Sequence, residues 1–202
     1  MCNDFRLKSG VHYLIETFRQ TGLPLQFPQG LPNVEPREDV KITDRSPIVR
    51  IGPTGDPALE VLRWSWPSPQ GKPVYNFRAE GRRFPAGRCL ILADGFYEFT
   101  TPEDPKQKRK DKWLFTLKDH EVFAIAGVWR AAAAKGEDAF TMLTVEPGAD
   151  IAPYHDRQVV VLSPPQWSAW LGHAPNEAEL LMPAAAGSLE VQAVTPGAGS
   201  LI

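Results

Sequence analysis

Four short stretches hold the side chains able to do chemistry: Cys2 near the start, Val74-Tyr75-Asn76-Phe77-Arg78-Ala79-Glu80, Ala93-Asp94-Gly95-Phe96-Tyr97-Glu98-Phe99, and Tyr154-His155-Asp156-Arg157. A small residue at position 2 lets a methionine aminopeptidase remove Met1, and the chain then begins at a cysteine with both a free α-amine and a thiol. That pair is a 1,2-aminothiol. With an aldehyde, the amine forms a Schiff base and the sulfur then adds to the same carbon, closing a five-membered thiazolidine ring. No internal cysteine can do this. Taken alone, a cysteine at position 2 carries little weight; here the other three stretches give it company.

Side chains two apart on an extended segment share a face, so Asn76 and Arg78 present an amide and a guanidinium together. Arginine suits phosphate because its planar fork donates two parallel hydrogen bonds. Glu98 follows the turn signal Asp94-Gly95 and two aromatics, Phe96 and Tyr97. Apolar surroundings of that kind raise a carboxyl toward the range useful for proton transfer. His155, with a reference pKa near neutrality, can protonate the hydroxyl lost as an imine forms. His12, His120 and His173 lack a comparable setting. Each residue also has a plain reading: Asn76 in a turn, Glu98 on the surface at a strand end, His155 structural.

The ordered set of Met-Cys, Asn-x-Arg-x-Glu, Ala-Asp-Gly-aromatic-aromatic-Glu and His-Asp-Arg before an apolar run resembles the SOS-response-associated peptidase family, from Cys2 to about Leu162. The resemblance implies shielding of abasic sites in single-stranded DNA by a covalent crosslink through the N-terminal cysteine during the DNA damage response. In that scheme Met1 leaves first, by self-cleavage or by an aminopeptidase, Cys2 is the nucleophile and Asn76 positions its amine. Glu98 and His155 transfer protons, and Arg78 holds phosphate. No metal or organic cofactor is implied. Arg82, Arg83, Arg88 and Arg157 are the other basic residues near these motifs and would line a DNA groove. Trp64 and Trp66 precede the Asn-x-Arg segment; alternation buries the face that Leu62, Trp64 and Trp66 share, and Trp66, just before Pro67, is the one placed to stack on a base. Asn33-Val34-Glu35-Pro36 resembles the family's Asn-Val-Ala-Pro loop near the active site. The sequence departs from the family at Asn3-Asp4, where Gly-Arg is common, at Gln158 after His-Asp-Arg, between Glu80 and Arg88, which is short, and at its C-terminal end.

Two rivals use the same inventory. In a thiol peptidase, His155 would activate Cys2 and Asn76 would orient the imidazole. In a single-strand-binding module without chemistry, the arginines and tryptophans would suffice. Aldehyde capture alone requires the thiol to be terminal.

At 202 residues, with 43% hydrophobic and 23% charged residues, the chain fits one globular domain over 1–202. The 20 prolines and 16 glycines call for many turns and no long helices. With no apolar leader and no run of about 20 apolar residues, a cytoplasmic protein without membrane contact is expected, acting as a monomer. The net charge, 22 − 24 = −2, gives no overall attraction for nucleic acid, so DNA contact requires a local basic patch. The densest charge, Lys106-Gln107-Lys108-Arg109-Lys110-Asp111-Lys112, reads as a solvated loop between strands. Cys2 and Cys89 have no metal or disulfide spacing, and Cys89 reads as a buried strand residue.

The elements that must position these residues are mostly strands. Ser9 is placed to cap a helix with Val11, Leu14, Ile15 and Phe18 on one face, ending near Gly22. A Pro- and Gly-rich loop follows over 23–36. Strand character recurs at 48–51, 59–66, 88–93, 112–117, 122–129, 140–145 and 158–162, with 113–117 and 122–126 forming a hairpin across Lys118-Asp119-His120-Glu121. Helices follow from Ser163 to Trp170 and over 175–182, then a last strand over 189–194. The pattern predicts an α+β fold: a twisted, partly barrel-like, mainly antiparallel β core with a few short helices.

Overall fold

The computed structural model describes residues 2–103, 106–132, 136–172 and 177–194, the side chain of Glu177 excepted. Its strands are β1 (Asp4–Leu7), β2 (Arg37–Lys41), β3 (Arg45–Ile51), β4 (Pro57–Trp64), β5 (Trp66–Pro67), β6 (Pro73–Val74), β7 (Asn76–Arg78), β8 (Arg88–Ala93), β9 (Gly95–Thr100), β10 (Asp111–Leu117), β11 (Phe123–Arg130), β12 (Ala139–Val145), β13 (Gln158–Val159), β14 (Val161–Leu162) and β15 (Leu189–Ala193). Three short α-helices accompany them, α1 (Val11–Gln20), α2 (Trp167–Leu171) and α3 (Glu177–Leu180), with a 3₁₀ turn at Pro164–Gln166 leading into α2. The α+β class with mainly antiparallel strands is therefore what forms.

The larger sheet closes on itself. β12 pairs with β4, β4 with β3, β3 with β8, β8 with β11, and β11 returns to β12. A closed ring leaves no open edge among these strands and needs apolar side chains on both faces. β8 meets that need: Arg88-Cys89-Leu90-Ile91-Leu92-Ala93 is buried throughout. Leu90 and Leu92 face one cluster, which contains Leu14 and Phe18 of α1 and Trp167 and Trp170 of α2. Cys89, Ile91 and Ala93 face the other, with Cys2, Trp64, Phe140 and Met142. A ring of five strands has no room inside for a helix, so the cluster with α1 and α2 lies outside and the second cluster fills the inside. Gly127 is required there, since a Cβ on it would lie 2.6 Å from Ile91 Cδ1 and 3.0 Å from Cys89 Sγ.

The smaller sheet, in the order β15-β10-β9-β1-β2, extends the same interior: Phe5, Phe96 and Phe115 join the inner cluster, with the last two rings stacked at 5.3 Å. The chain passes from ring to small sheet at Asp94. Its carboxylate takes the guanidinium of Arg6 at 2.6 Å and the backbone N–H of Ser9 at 3.2 Å, tying the N-terminal segment to this corner.

Several local expectations need correction. Ser9 does not cap α1; the cap residue is Gly10, and Ser9 turns to Asp94 instead. The hairpin 113–117/122–126 does not form, because β10 pairs with β9 and β15 while β11 pairs with β8, β12 and β14. Burial decides between them: residues 123–127 are wholly buried and belong in the ring, whereas β10 is half-exposed and belongs to the small sheet. The segment 158–162 is two short pieces that bridge the seam, β13 on β12 and β14 on β11. The start expected for the last helix lies outside the described residues, and α3 covers 177–180. Strands β1, β2 and β9 carry turn residues or mixed polarity and escape a reading by alternation. No helix among the described residues is long and apolar enough to cross a membrane.

Candidate active site

The site lies where ring and small sheet meet. β1 runs antiparallel to β9 with Phe5 opposite Phe96 and Arg6 opposite Gly95, so the residues before β1 continue alongside Tyr97 and Glu98. Gly95 lets β10 pack closely on the other side of β9, since a Cβ there would fall 2.6 Å from Leu114 Cδ1. Cys2 is 1% exposed and belongs to the inner cluster. Its thiol donates to the carbonyl of Asp4 at 3.2 Å. Burial first, then the charge of Glu98, push this thiol far above its usual range, so at neutral pH the sulfur is held as S–H.

Asn76 reaches the same residue from the ring. β7 runs parallel to β12, with Asn76 opposite Met142 and Arg78 opposite Thr144. Phe77 turns to the helix-side cluster, so Asn76 and Arg78 share the other face as the sequence pattern predicts. The Asn76 side-chain nitrogen donates to the backbone carbonyl of Cys2 at 2.7 Å. Only the amide nitrogen can donate, which fixes the orientation of the group. The amide oxygen is buried and has no hydrogen-bond partner among the described residues.

Glu98 and His155 complete the group. Glu98 is 1% exposed, and burial raises its carboxyl to about 7. Its Oε2 is 4.0 Å from His155 Nε2. Burial lowers the imidazole below its ordinary value. Two contacts at Nδ1 demand opposite states: the backbone N–H of Arg157 at 3.0 Å needs a lone pair, while the Asp156 carboxylate at 2.8 Å needs a proton. Asp156 is 89% exposed and its charge is shared with water, so the fixed amide prevails. Nδ1 accepts, and Nε2–H points toward Glu98.

Two aromatics to which the sequence argument gave no role in the site flank this pair. Trp113 sits opposite Glu98 across the β9/β10 pairing, and its ring lies 5.0 Å from that of Tyr154, the residue before His155. His155 is further fixed by its own N–H, which donates to Ile151 at 3.0 Å. Strand register alone brings Trp113 to Glu98, and no linear motif contains both.

The family model described as SOS response associated peptidase (SRAP) matches residues 1–200. The chain belongs to this family. Two Bacillus subtilis (strain 168) proteins, abasic site processing protein YobE and abasic site processing protein YoaM, are 29% and 27% identical to it; each match covers 96% of this chain, and 94% and 91% of theirs. Among solved structures, a Bordetella bronchiseptica protein is similar with a TM-score of 0.70 at 24% identity, covering 96% of this chain and 100% of that one. A Bacteroides thetaiotaomicron protein gives 0.74 at 15% identity, over 96% and 93%. These structures bear on the fold alone.

Around the SRAP site, the residues expected to meet DNA divide. Arg78, Arg82 and Arg83 are exposed. Trp66, Phe77, Arg82 and Arg83 border one surface depression, with the Arg82 guanidinium 4.6 Å over the Phe77 ring. Trp66 is half-buried and carries Arg130 on its face at 4.3 Å, whereas Trp64 is fully buried. Arg88 is also buried, donating to Phe84 and Trp170 carbonyls. Arg157 does not face outward as expected. It is 5% exposed, donates to Glu80 Oε2 at 2.9 Å and to the Thr144 carbonyl at 2.8 Å, and so clamps the β7–β12 seam beneath Arg78. In the Asn33 loop only Val34 turns inward, into the helix-side cluster, while Asn33, Glu35 and Pro36 are exposed.

Proposed function

We propose that this protein captures the aldehyde of an abasic site in single-stranded DNA through Cys2, once Met1 has been removed. The freed α-amine adds to the aldehyde carbon and the resulting carbinolamine loses water to give an imine. The Cys2 thiol then adds across the C=N bond, its proton passing to nitrogen, and the thiazolidine closes. The net change is loss of one water. Names of relatives that process abasic sites support this substrate.

The observation that carries the reading is the grip of Asn76 on the Cys2 carbonyl at 2.7 Å, with the amide's buried oxygen left open beside it. That oxygen suits the new ammonium. Glu98, with its carboxyl near 7, gives the proton that the departing hydroxyl needs and serves in opening the deoxyribose ring. His155, which carries its proton on Nε2, donates to the oxygens of the lesion from the same side. Arg78 supplies phosphate contact, with Trp66, Arg82 and Arg83 on the flanking surface. No step calls for a metal or organic cofactor.

A thiol peptidase acting on other proteins needs a thiolate paired with imidazolium. The buried Cys2 and the lowered His155 disfavour both ions. Incubating mature protein with abasic and intact oligonucleotides and resolving the products on a denaturing gel tests the proposal. A heat-stable shifted band with the abasic strand alone is expected; no such band would overturn it.

A further inference from the structure

The run Lys106-Gln107-Lys108-Arg109-Lys110-Asp111-Lys112 reads from sequence as a plain solvated loop, and residues 106–110 are exposed. Its construction is more specific. Lys112 is engaged inward, pairing with Asp4 at 2.9 Å and with Asp39. Gln107 donates to the Asp111 carboxylate at 2.7 Å and to the Arg109 carbonyl at 2.9 Å, which pins the turn. Lys108, Arg109 and Lys110 make no ion pair among the described residues, although other surface arginines do, Arg37 with Asp44 and Arg45 with Glu137. Three adjacent cations on a pinned turn concentrate positive charge on a protein of net charge −2.

The loop also ends beside the site. β10 begins at Asp111, and Trp113 on that strand lies opposite Glu98. At about 3.3 Å per residue, Lys110 is roughly 10 Å along the strand from the Glu98 position. Arg109 and Lys110 line a cleft with Asp4, Phe99, Lys112 and Trp113, along the strand pair that carries Glu98. The positive charge of Lys110 reaches the His155 imidazole, adding to the fall in its pKa. Arg78 approaches from a different sheet, two residues from Asn76 on β7. The captured lesion would thus have cations on two sides.

We infer that Lys108, Arg109 and Lys110 bind backbone phosphates of the same single strand on the flank of the lesion opposite to that held by Arg78. The inference rests on reading the site as one for abasic DNA. It adds a second phosphate contact surface and gives each flank its own anchor.

Binding can be read separately from chemistry with tetrahydrofuran abasic analogues, which have no aldehyde and form no crosslink. Two oligonucleotides carry the analogue at the 5′ or the 3′ terminus, so each retains one flank. Fluorescence anisotropy over a salt series would compare the parent, K108Q/R109Q/K110Q and R78A. The triple variant should lose affinity at least about fivefold, with a salt slope shallower by roughly 1.4 to 2, on one oligonucleotide only. Arg78→Ala should show its loss on the other. Parent-like binding of the triple variant on both, or equal losses by both variants on both, would overturn the inference. Failure of the parent to crosslink a true abasic strand while this pattern holds would instead defeat the capture chemistry.

Discussion

The carboxyl of Glu98 and the imidazole of His155 face each other with 4.0 Å between Oε2 and Nε2, and burial drives both toward their neutral forms. In these forms each holds a proton, Glu98 on its carboxyl and His155 on Nε2, and each can donate to the oxygens of the lesion. Glu98→Gln and His155→Ala should each slow crosslinking by ~10²–10⁴-fold while binding of the tetrahydrofuran analogue stays near that of the parent. Rates and affinities measured side by side check this; an affinity loss as large as the rate loss would make these residues DNA holders.

The same burial has a consequence for stability. Glu98 in the folded protein titrates at about 7 against an ordinary 4.5, so the folded state keeps a proton that the unfolded chain releases. Its favourable contribution is full below about 4.5 and is lost as pH rises through 7. Glutamine does not titrate. Glu98→Gln should therefore be more stable than the parent at pH 8, by about 2–3 kcal/mol, with little difference near pH 4. Urea unfolding at the two pH values would show it; Asp4, also raised to about 7 by burial, titrates in both proteins and drops out of the difference.

Arg157 and Glu80 should respond unequally to removal. Glu80 is 41% exposed and can hydrate if its partner is lost, whereas the Arg157 guanidinium is 6% exposed and would stay buried without its chief carboxylate. Glu80→Ala should thus destabilise the fold by about 3 kcal/mol and Arg157→Ala by less. Thermal unfolding of both variants decides the order, and an Arg157→Ala variant that keeps its stability but loses DNA affinity would return Arg157 to the DNA surface.

The residues of the site were legible because they lie in short linear motifs, and β8 and β12 because continuous apolar runs mark strands buried on two faces. What sequence could not supply was partnership across strands. The linker 118–121 looks like a hairpin turn, yet it carries the chain between sheets, since Phe123 to Gly127 need cover on both sides. Trp113 meets Glu98 only through register, and Arg157 was misplaced because a guanidinium beside a motif reads the same whether it faces solvent or Glu80. Lys108, Arg109 and Lys110 were set aside for the same reason: a charge run carries no sign of what its flanking strand adjoins.

Arg78 is the exposed cation nearest to Asn76 along β7. Arg78→Ala should lower affinity alike for all base sequences that keep the flank it holds, and make the salt dependence shallower by about 0.7, one phosphate contact. Titrations of several sequences at four salt concentrations would check both parts, and an unchanged slope would remove Arg78 from the DNA surface.

The most direct test of the capture chemistry is intact mass spectrometry of the Met1-free protein and of Cys2→Ser after reaction with an abasic single strand. The parent should appear as protein plus DNA less one water, with Cys89→Ser giving the same adduct and Cys2→Ser giving no stable one. A normal yield of that adduct from Cys2→Ser would contradict the account.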